Sequence, residues 1–104
     1  MRVLTIVLTL LLSFSASADK KEDFKICKSI ADFAEKIADA RYSGVAYDKM
    51  YEAAISGEFS ESDIELINIA YSLPNYQTDK HKQRTISEFK NKVFGSCIKV
   101  KGEK

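Results

Sequence analysis

Apolar residues recur every three to four positions along most of the chain, which is the spacing that places them on one face of an α-helix. The clearest such segment runs from about Phe24 to Tyr42, with charged side chains on the opposite face. Ser43 and Gly44 follow it, and glycine readily adopts the left-handed conformation that ends many helices. The pattern therefore predicts an amphipathic first helix. Its apolar face consists of Ile26, Cys27, Ile30, Ala31, Phe33, Ala34, Ile37 and Ala38.

Three further segments repeat the helical spacing. The first of them is short and has Tyr47 and Tyr51 on its apolar side, where we expect core positions. The second is apolar over more than half of its circumference, so we expect it to be the most buried helix. No segment alternates apolar and polar residues for long enough to predict a strand, so the predicted fold class is all-α. The three segments are about Ala46 to Ser56, Ser60 or Ser62 to Leu73, and Thr78 or Asp79 to about Val100.

The two cysteines, Cys27 and Cys97, lie on the apolar faces of the first and fourth predicted helices. Short connections favour antiparallel neighbours, so we expect a small up-down-up-down four-helix bundle. In that bundle the start of the first helix and the end of the fourth lie at the same end. We therefore expect a structural disulfide, worth roughly 4 kcal/mol through the entropy of the unfolded chain. The alternatives are a redox-active pair and two metal-binding thiolates, but the chain has no Cys-x-x-Cys motif.

The first 18 residues have the three parts of a secretory signal peptide. Arg2 gives the positive start, residues 3–12 form an apolar stretch, and Ala16-Ser17-Ala18 supplies the small residues of a cleavage site. The apolar stretch is shorter than the ~20 residues that span a bilayer as a helix. We therefore expect a signal peptide over 1–18, cleavage near Ala18, and a periplasmic or secreted protein. The mature chain, 19–104, is expected to form a single helical domain without a membrane span.

Charge is balanced overall but unevenly distributed along the chain. The 104 residues include 16 basic and 15 acidic side chains, which excludes a strongly basic nucleic-acid-binding protein, and the length excludes a multi-domain enzyme. Residues 19–73 contain 12 acids and 7 bases, whereas residues 74–104 contain 3 acids and 8 bases. Two interpretations stay open: the two parts attract each other within one fold, or their charges are simply solvated.

Candidate catalytic and metal-binding groups are few. The only histidine, His81, lies in the basic run Lys80-His81-Lys82, where we expect a solvated surface position. No serine lies in a Gly-x-Ser-x-Gly turn, and the acidic residues between 58 and 65 lack the spacing of an EF-hand loop. We therefore expect no catalytic activity, no bound metal and no cofactor.

Arg41 is a charged residue at the centre of the first helix's apolar face, and three interpretations account for it. In the first, its cation lies at the carbonyl end of a helix and its aliphatic stem covers the core. In the second, it pairs with a carboxylate at the same end of the bundle, Asp79 or Asp48. In the third, it binds a ligand or a partner.

One pattern runs through most of the chain after residue 18. It consists of Cys27, the segment 34–41 with the sequence Ala-Glu-Lys-Ile-Ala-Asp-Ala-Arg, the pair Gly44-Val45, and the late Cys97. This pattern resembles that of a group of small exported bacterial and phage-associated proteins of unknown function. The resemblance implies a secreted helical domain with two cysteines, and it implies no functional residues.

These observations favour an exported binding protein without catalytic activity, which docks on another envelope or secreted protein as inhibitors, immunity proteins and exclusion factors do. The alternative is a periplasmic stress chaperone or a structural accessory protein. We expect Tyr76, Lys80 and Arg84 to contact the partner, because an amphipathic aromatic beside fixed cations suits an acidic protein surface. Glu88 is also spaced to pair with Arg84 and Lys92, in which case this face is merely solvated. The oligomeric state stays open.

Overall fold

The computed structural model describes the backbone of residues 2–102 and the side chains of residues 20–102. Its α-helices are α1 (Arg2–Tyr42), α2 (Tyr47–Ser56), α3 (Glu61–Tyr71) and α4 (Asp79–Gly102). Residues 2–102 contain no β-strand, so the prediction of an all-α fold is confirmed. Among the described residues, no helix is both long enough and apolar enough to cross a membrane.

The first helix starts earlier than the sequence predicts. α1 begins at Arg2 instead of about Phe24, because no glycine or proline interrupts residues 2–42. The side chains of the predicted signal peptide over 1–18 lie outside the described residues, as does the whole of Met1. The signal peptide and its cleavage near Ala18 therefore stay predictions.

Two helices end in a residue with a left-handed backbone. After α1 this residue is Gly44, with a φ of +103°, so the predicted end of the first helix is confirmed. After α2 it is Glu58, with a φ of 54°. The preceding Gly57 does not have a left-handed backbone. A side chain at this position would be crowded, since its Cβ would lie 2.9 Å from a ring carbon of Phe59.

The structure also decides between the candidate limits of α3. Its N-cap is Ser60, whose hydroxyl accepts a hydrogen bond from the amide of Asp63 at 3.2 Å, so a start at Ser62 is wrong. α3 ends at Tyr71 rather than at Leu73. Two predicted helical residues therefore belong to the connection that leads to α4.

The core consists of small side chains from α1 and a few larger ones from the other helices. Alanines on α1 allow neighbouring helices to approach closely, because the distance between helix axes depends on the side chains at the contact. α3 has the smallest share of exposed residues among the described parts of the four helices, as its composition predicts, but it leaves Ile69 41% exposed. The main buried cluster is Ala34, Ile37 and Ala38 of α1, Ala54 of α2, Ile67 and Ala70 of α3, and Ile86 and Phe89 of α4.

α1 and α4 run antiparallel. At one end of the pairing Cys27 forms a disulfide with Cys97, with the Cα atoms 5.5 Å apart. Nearer the middle, the ammonium of Lys90 lies 3.4 Å from the carboxylate of Asp32 and 3.3 Å from that of Glu35. The predicted disulfide is therefore present, and Lys90 shows that the basic and acidic parts of the chain attract each other within the fold.

These exposed ion pairs shift the titration of their members. The hydrogen bond from Lys28 at 3.1 Å, together with Lys90, holds the pKa of Asp32 below its usual range. The carboxylates of Glu35 and Asp32 raise the pKa of Lys90. Because the pairs are in contact with water, they contribute little to the free energy of unfolding.

α1 and α3 run in the same direction. Phe33 of α1 packs against Phe59 just before α3, with the ring centroids 5.6 Å apart, and Arg41 near the end of α1 contacts Leu73 just after α3. With the antiparallel pairing of α1 and α4, this direction agrees with the predicted up-down-up-down order.

α2 packs on α3 and leaves its tyrosines at the surface. Tyr47 stacks on Tyr71 with the ring centroids 4.8 Å apart, and Ala54 is fully buried. Tyr47 and Tyr51 are nevertheless 44% and 38% exposed, so the prediction that they lie in the core is wrong. The reason is that α3 covers Tyr47 only in part, through Tyr71 and Asn68, while Tyr51 packs edge-to-face on Tyr47.

Candidate functional site: the groove between α3 and α4

An open groove separates α3 from α4. Both helices pack against α1, which lies behind them, but they make few contacts with each other. The gap has a volume of about 580 Å³, and its lining is mainly apolar. We call it the α3–α4 groove. Its walls include Leu66 and Ile69 from α3, Leu73 just after α3, and Phe89, Lys92 and Val93 from α4.

The groove follows from the two apolar stripes of α3. Ile67 and Ala70 face the core and are fully buried. Leu66 and Ile69 are spaced i and i+3, which places them on a neighbouring face of the helix, and Leu73 extends this apolar surface just beyond its end. α1 covers the first stripe and α2 packs elsewhere on α3, so the second stripe is left facing the gap.

Polar groups lie along the α4 wall of the groove. Glu88 and Lys92 line it one helical turn apart. Among the described side chains, Glu88 forms no ion pair with Lys92 or Arg84, so the predicted alternative pairing is not formed. Lys92 therefore keeps its charge available at the edge of an apolar surface.

One of the three residues predicted to contact a partner lines the groove. Tyr76 lies at its end and stacks on His81, with the ring centroids 5.6 Å apart. His81 is exposed, as expected, and its Nδ1 lies 2.6 Å from the hydroxyl oxygen of Thr78. Lys80 and Arg84 are exposed on α4 but do not line the groove. Their contact with a partner stays a prediction.

Arg41 holds the chain that connects α3 to α4. Its Nη2 donates a hydrogen bond to the carbonyl oxygen of Leu73 at 2.6 Å. The neighbouring hydroxyl of Tyr42 donates to the carbonyl oxygen of Pro74, also at 2.6 Å. Because α1 and α3 end at the same end of the bundle, the cation meets the carbonyl end of α3 rather than that of its own helix. These contacts fix the end of the groove at which Tyr76 lies.

Aromatic rings surround Arg41 in place of the carboxylate that the sequence suggests. Neither Asp79 nor Asp48 forms an ion pair with it among the described residues, so that interpretation is wrong. Its Cζ lies 4.9 Å from the ring centroid of Tyr42 and 6.0 Å from that of Tyr71. Burial raises the pKa of both tyrosines, and the Arg41 cation partly opposes that shift. Its Nε is buried without a hydrogen-bond partner among the described residues.

A second exposed apolar surface lies on α2. Tyr47, Tyr51 and Ile55 follow one another at intervals of four residues, and Ile55 is 59% exposed. We call these three residues the α2 stripe. Asp48 and Glu52 directly follow the two tyrosines and are exposed as well. α2 therefore presents an acidic amphipathic surface to the solvent, which the sequence reasoning missed because it assigned the tyrosines to the core.

No set of three or more histidine, cysteine, aspartate or glutamate side chains in the described part of the chain is arranged to hold a metal ion. No protein-family model matches the chain, and the comparisons with curated proteins and with solved structures found no match. The resemblance to small exported proteins therefore stays an expectation from the sequence.

Proposed function

We propose that the protein is an exported binding protein that docks on another envelope or secreted protein through the α3–α4 groove. One observation carries the proposal: the chain's own helices leave an apolar groove of about 580 Å³ open between them. Concave apolar surfaces between helices are common docking sites for amphipathic segments of other proteins.

The composition of the groove supports recognition of a protein segment. Leu66, Ile69 and Leu73 supply apolar area along one wall, which gives the main favourable term in association. Tyr76 and Lys92 add an aromatic ring and a cation at its edges, where polar contacts fix the orientation of a partner. We propose binding without catalysis, because apolar area with isolated polar groups at the edge favours recognition.

Two features support an extracytoplasmic location. The Cys27–Cys97 disulfide is of the kind that persists in oxidising compartments. The sequence of residues 1–18 is typical of a secretory signal peptide. A rigid, crosslinked helical domain in such a compartment fits an inhibitor, an immunity protein or an exclusion factor.

Replacing Ile69 with aspartate is expected to abolish docking, because it places a charge in the apolar wall of the groove. Ile98→Asp is a matched control, since Ile98 is 37% exposed on α4 but does not line the groove. The purified wild-type protein and both variants are immobilised and exposed to envelope extract, and bound proteins are quantified. We expect one near-equimolar partner for the wild type and for Ile98→Asp, and none for Ile69→Asp. Circular dichroism verifies that both variants are folded.

Equal capture of that partner by Ile69→Asp would contradict docking through the groove. Capture of many unfolded proteins by all three forms would favour the stress chaperone instead. The comparison therefore separates the two functional classes in one measurement.

Reversing the charges of Lys80 and Arg84 together, as Lys80→Glu with Arg84→Glu, is expected to slow association with the captured partner by about tenfold. Both side chains are exposed, so the midpoint of thermal unfolding should stay the same. Association rates at low and high salt measure the effect, because screening acts over ~10 Å at 0.1 M. Lys25→Glu with Lys36→Glu on α1 is the control of equal charge change. An unchanged rate and salt dependence would show that Lys80 and Arg84 are merely solvated.

A further inference from the structure

We infer that a second copy of this chain occupies the α3–α4 groove, with the α2 stripe as the inserted surface. The inference rests on the proposed function, because both use this groove as a docking site. It differs in that the molecule bound in the groove is a second copy of this chain. Insertion in both directions gives a closed twofold dimer, in which the same two surfaces of each copy are covered.

The α2 stripe has the form of a helix that binds in a groove. Tyr47, Tyr51 and Ile55 anchor positions i, i+4 and i+8, and together they span ~12 Å of helix. The apolar wall from Leu66 to Leu73 spans ~10 Å. The inserted surface and its receiving wall therefore match in length and in apolar character.

Charge complementarity favours the same arrangement. α4 carries seven basic and two acidic side chains between residues 79 and 102, and among the described side chains only Lys90 of these bases forms an ion pair. Lys92 lines the groove, and Lys99 lies seven residues further on the same face of α4. Asp48 and Glu52 lie beside the α2 stripe and form no ion pair with a described side chain. Glu88 also lines the groove, but Lys92 and Lys99 outnumber it on this face of α4, so an acidic helix surface meets a groove edge of net positive charge.

The positions of the two surfaces permit exchange in both directions. α2 packs on α3 through Tyr47, whose hydroxyl donates a hydrogen bond to the side chain of Asn68. The groove lies along the stripe of α3 that contains Leu66 and Ile69. Both surfaces thus border α3, and the proposed dimer has its twofold axis beside this helix, so that each α2 stripe meets the groove of the other copy. A foreign partner then has to displace the α2 stripe before it can dock.

Sedimentation velocity of the purified, disulfide-bonded protein from about 1 µM to about 1 mM tests the inference. We expect a reversible monomer–dimer equilibrium in the wild type. Ile69→Asp in the groove and Ile55→Asp in the α2 stripe should each weaken dimerisation by at least about tenfold, because each buries a charge in an apolar contact. Ile98→Asp should dimerise like the wild type.

Charge-reversed variants identify the two surfaces as partners of each other. One variant carries Asp48→Lys with Glu52→Lys, and the other carries Lys92→Glu with Lys99→Glu. Each alone should dimerise at least about tenfold more weakly than the wild type, because like charges then face each other. An equimolar mixture should associate like the wild type, since both of its interfaces again pair acid with base. The control is a mixture of the first variant with Lys25→Glu and Lys36→Glu, which has the same net charges: the control variant should form homodimers like the wild type, but few heterodimers with the first variant.

A wild-type protein that stays monomeric at about 1 mM overturns the inference, as does a dimer that both aspartate variants leave intact. Failure of the matched charge-reversed mixture to associate overturns the assignment of the two surfaces. These outcomes leave the proposed function untouched, because that function depends on whether Ile69→Asp prevents capture of a different protein. Conversely, unchanged capture by Ile69→Asp together with loss of its dimer would overturn the proposed function alone.

Discussion

Replacing Cys27 and Cys97 together with alanine is expected to lower the free energy of unfolding by about 2–5 kcal/mol. The disulfide joins residues 70 positions apart, so its loss returns much conformational freedom to the unfolded chain. Cys27 is also fully buried, and the shorter alanine side chain leaves part of its contacts unfilled. A domain of this size has a total stability on the order of 5 kcal/mol, so the loss removes much of it. Urea unfolding followed by circular dichroism measures the change.

Reduction of the wild-type protein is the matched control and should produce most of the same loss without any substitution. Mass spectrometry of the unreduced protein should show a deficit of two hydrogens relative to the reduced protein. Two freely alkylated thiols in protein from an oxidising compartment, or unfolding that is insensitive to reductant, would contradict the stabilising role.

Replacing Arg41 with alanine is expected to lower the free energy of unfolding by about 2–3 kcal/mol. The change removes a hydrogen bond from a charged donor and leaves the carbonyl oxygen of Leu73 without its partner. It also removes the cation that lies near the rings of Tyr42 and Tyr71. The same urea titration measures the effect, and the connection from α3 to α4 should become more mobile.

Two variants separate the parts of this effect. Tyr42→Phe removes the hydrogen bond to the carbonyl of Pro74 while it keeps the ring beside Arg41, and it should cost about 1 kcal/mol. Arg41→Lys keeps the charge but loses the planar guanidinium, so its cost should lie between those of Tyr42→Phe and Arg41→Ala. If Arg41→Ala instead keeps full stability and loses docking, Arg41 belongs to the binding surface.

The apolar face of α1 and the disulfide could be predicted from the sequence for a physical reason. α1 is covered by α3 and α4 on one broad face, so its buried positions repeat with the period of the helix, as Ala34, Ile37 and Ala38 do. Cys27 lies near the start that the sequence predicts for the first helix and Cys97 near the end of α4, and antiparallel packing brings these positions together even though α1 itself begins at Arg2. For α1 and α4, the periodicity of each helix and the packing of the two helices predict the same pairing of cysteines.

The surfaces of α2 and α3 could not be predicted in the same way. Periodicity shows which side of a helix is apolar, but not whether another helix covers that side. Tyr47 and Tyr51 follow a core spacing and still face solvent, and Ile69 follows one and lines an open groove. The separation of α3 and α4 that forms the groove depends on how each packs on α1, which no short stretch of sequence encodes.

The partner of Arg41 was inaccessible to sequence reasoning for a different reason. Its acceptor is the main-chain carbonyl of Leu73, and every residue has such a group. The sequence could show that Arg41 lies on an apolar face, but a search for a charged partner led to Asp79 and Asp48. The neighbouring Tyr42 was the one feature of the sequence that indicated a contact of Arg41, because aromatic rings often lie against half-buried guanidinium groups.

The disulfide makes one part of the folded protein more resistant to local opening than the other. α4 is bonded covalently to α1 through Cys27 and Cys97, whereas α2 and α3 carry no crosslink and are held by the two chain connections, by packing and by hydrogen bonds such as those of Arg41 and Tyr42. Partial opening of the native state therefore detaches α2 and α3 first, while α1 and α4 stay joined. Amide protons of α2 and α3 should then exchange with solvent sooner than those of the crosslinked pair. The protein can loosen one wall of its groove, and close it again, without passing through the unfolded chain.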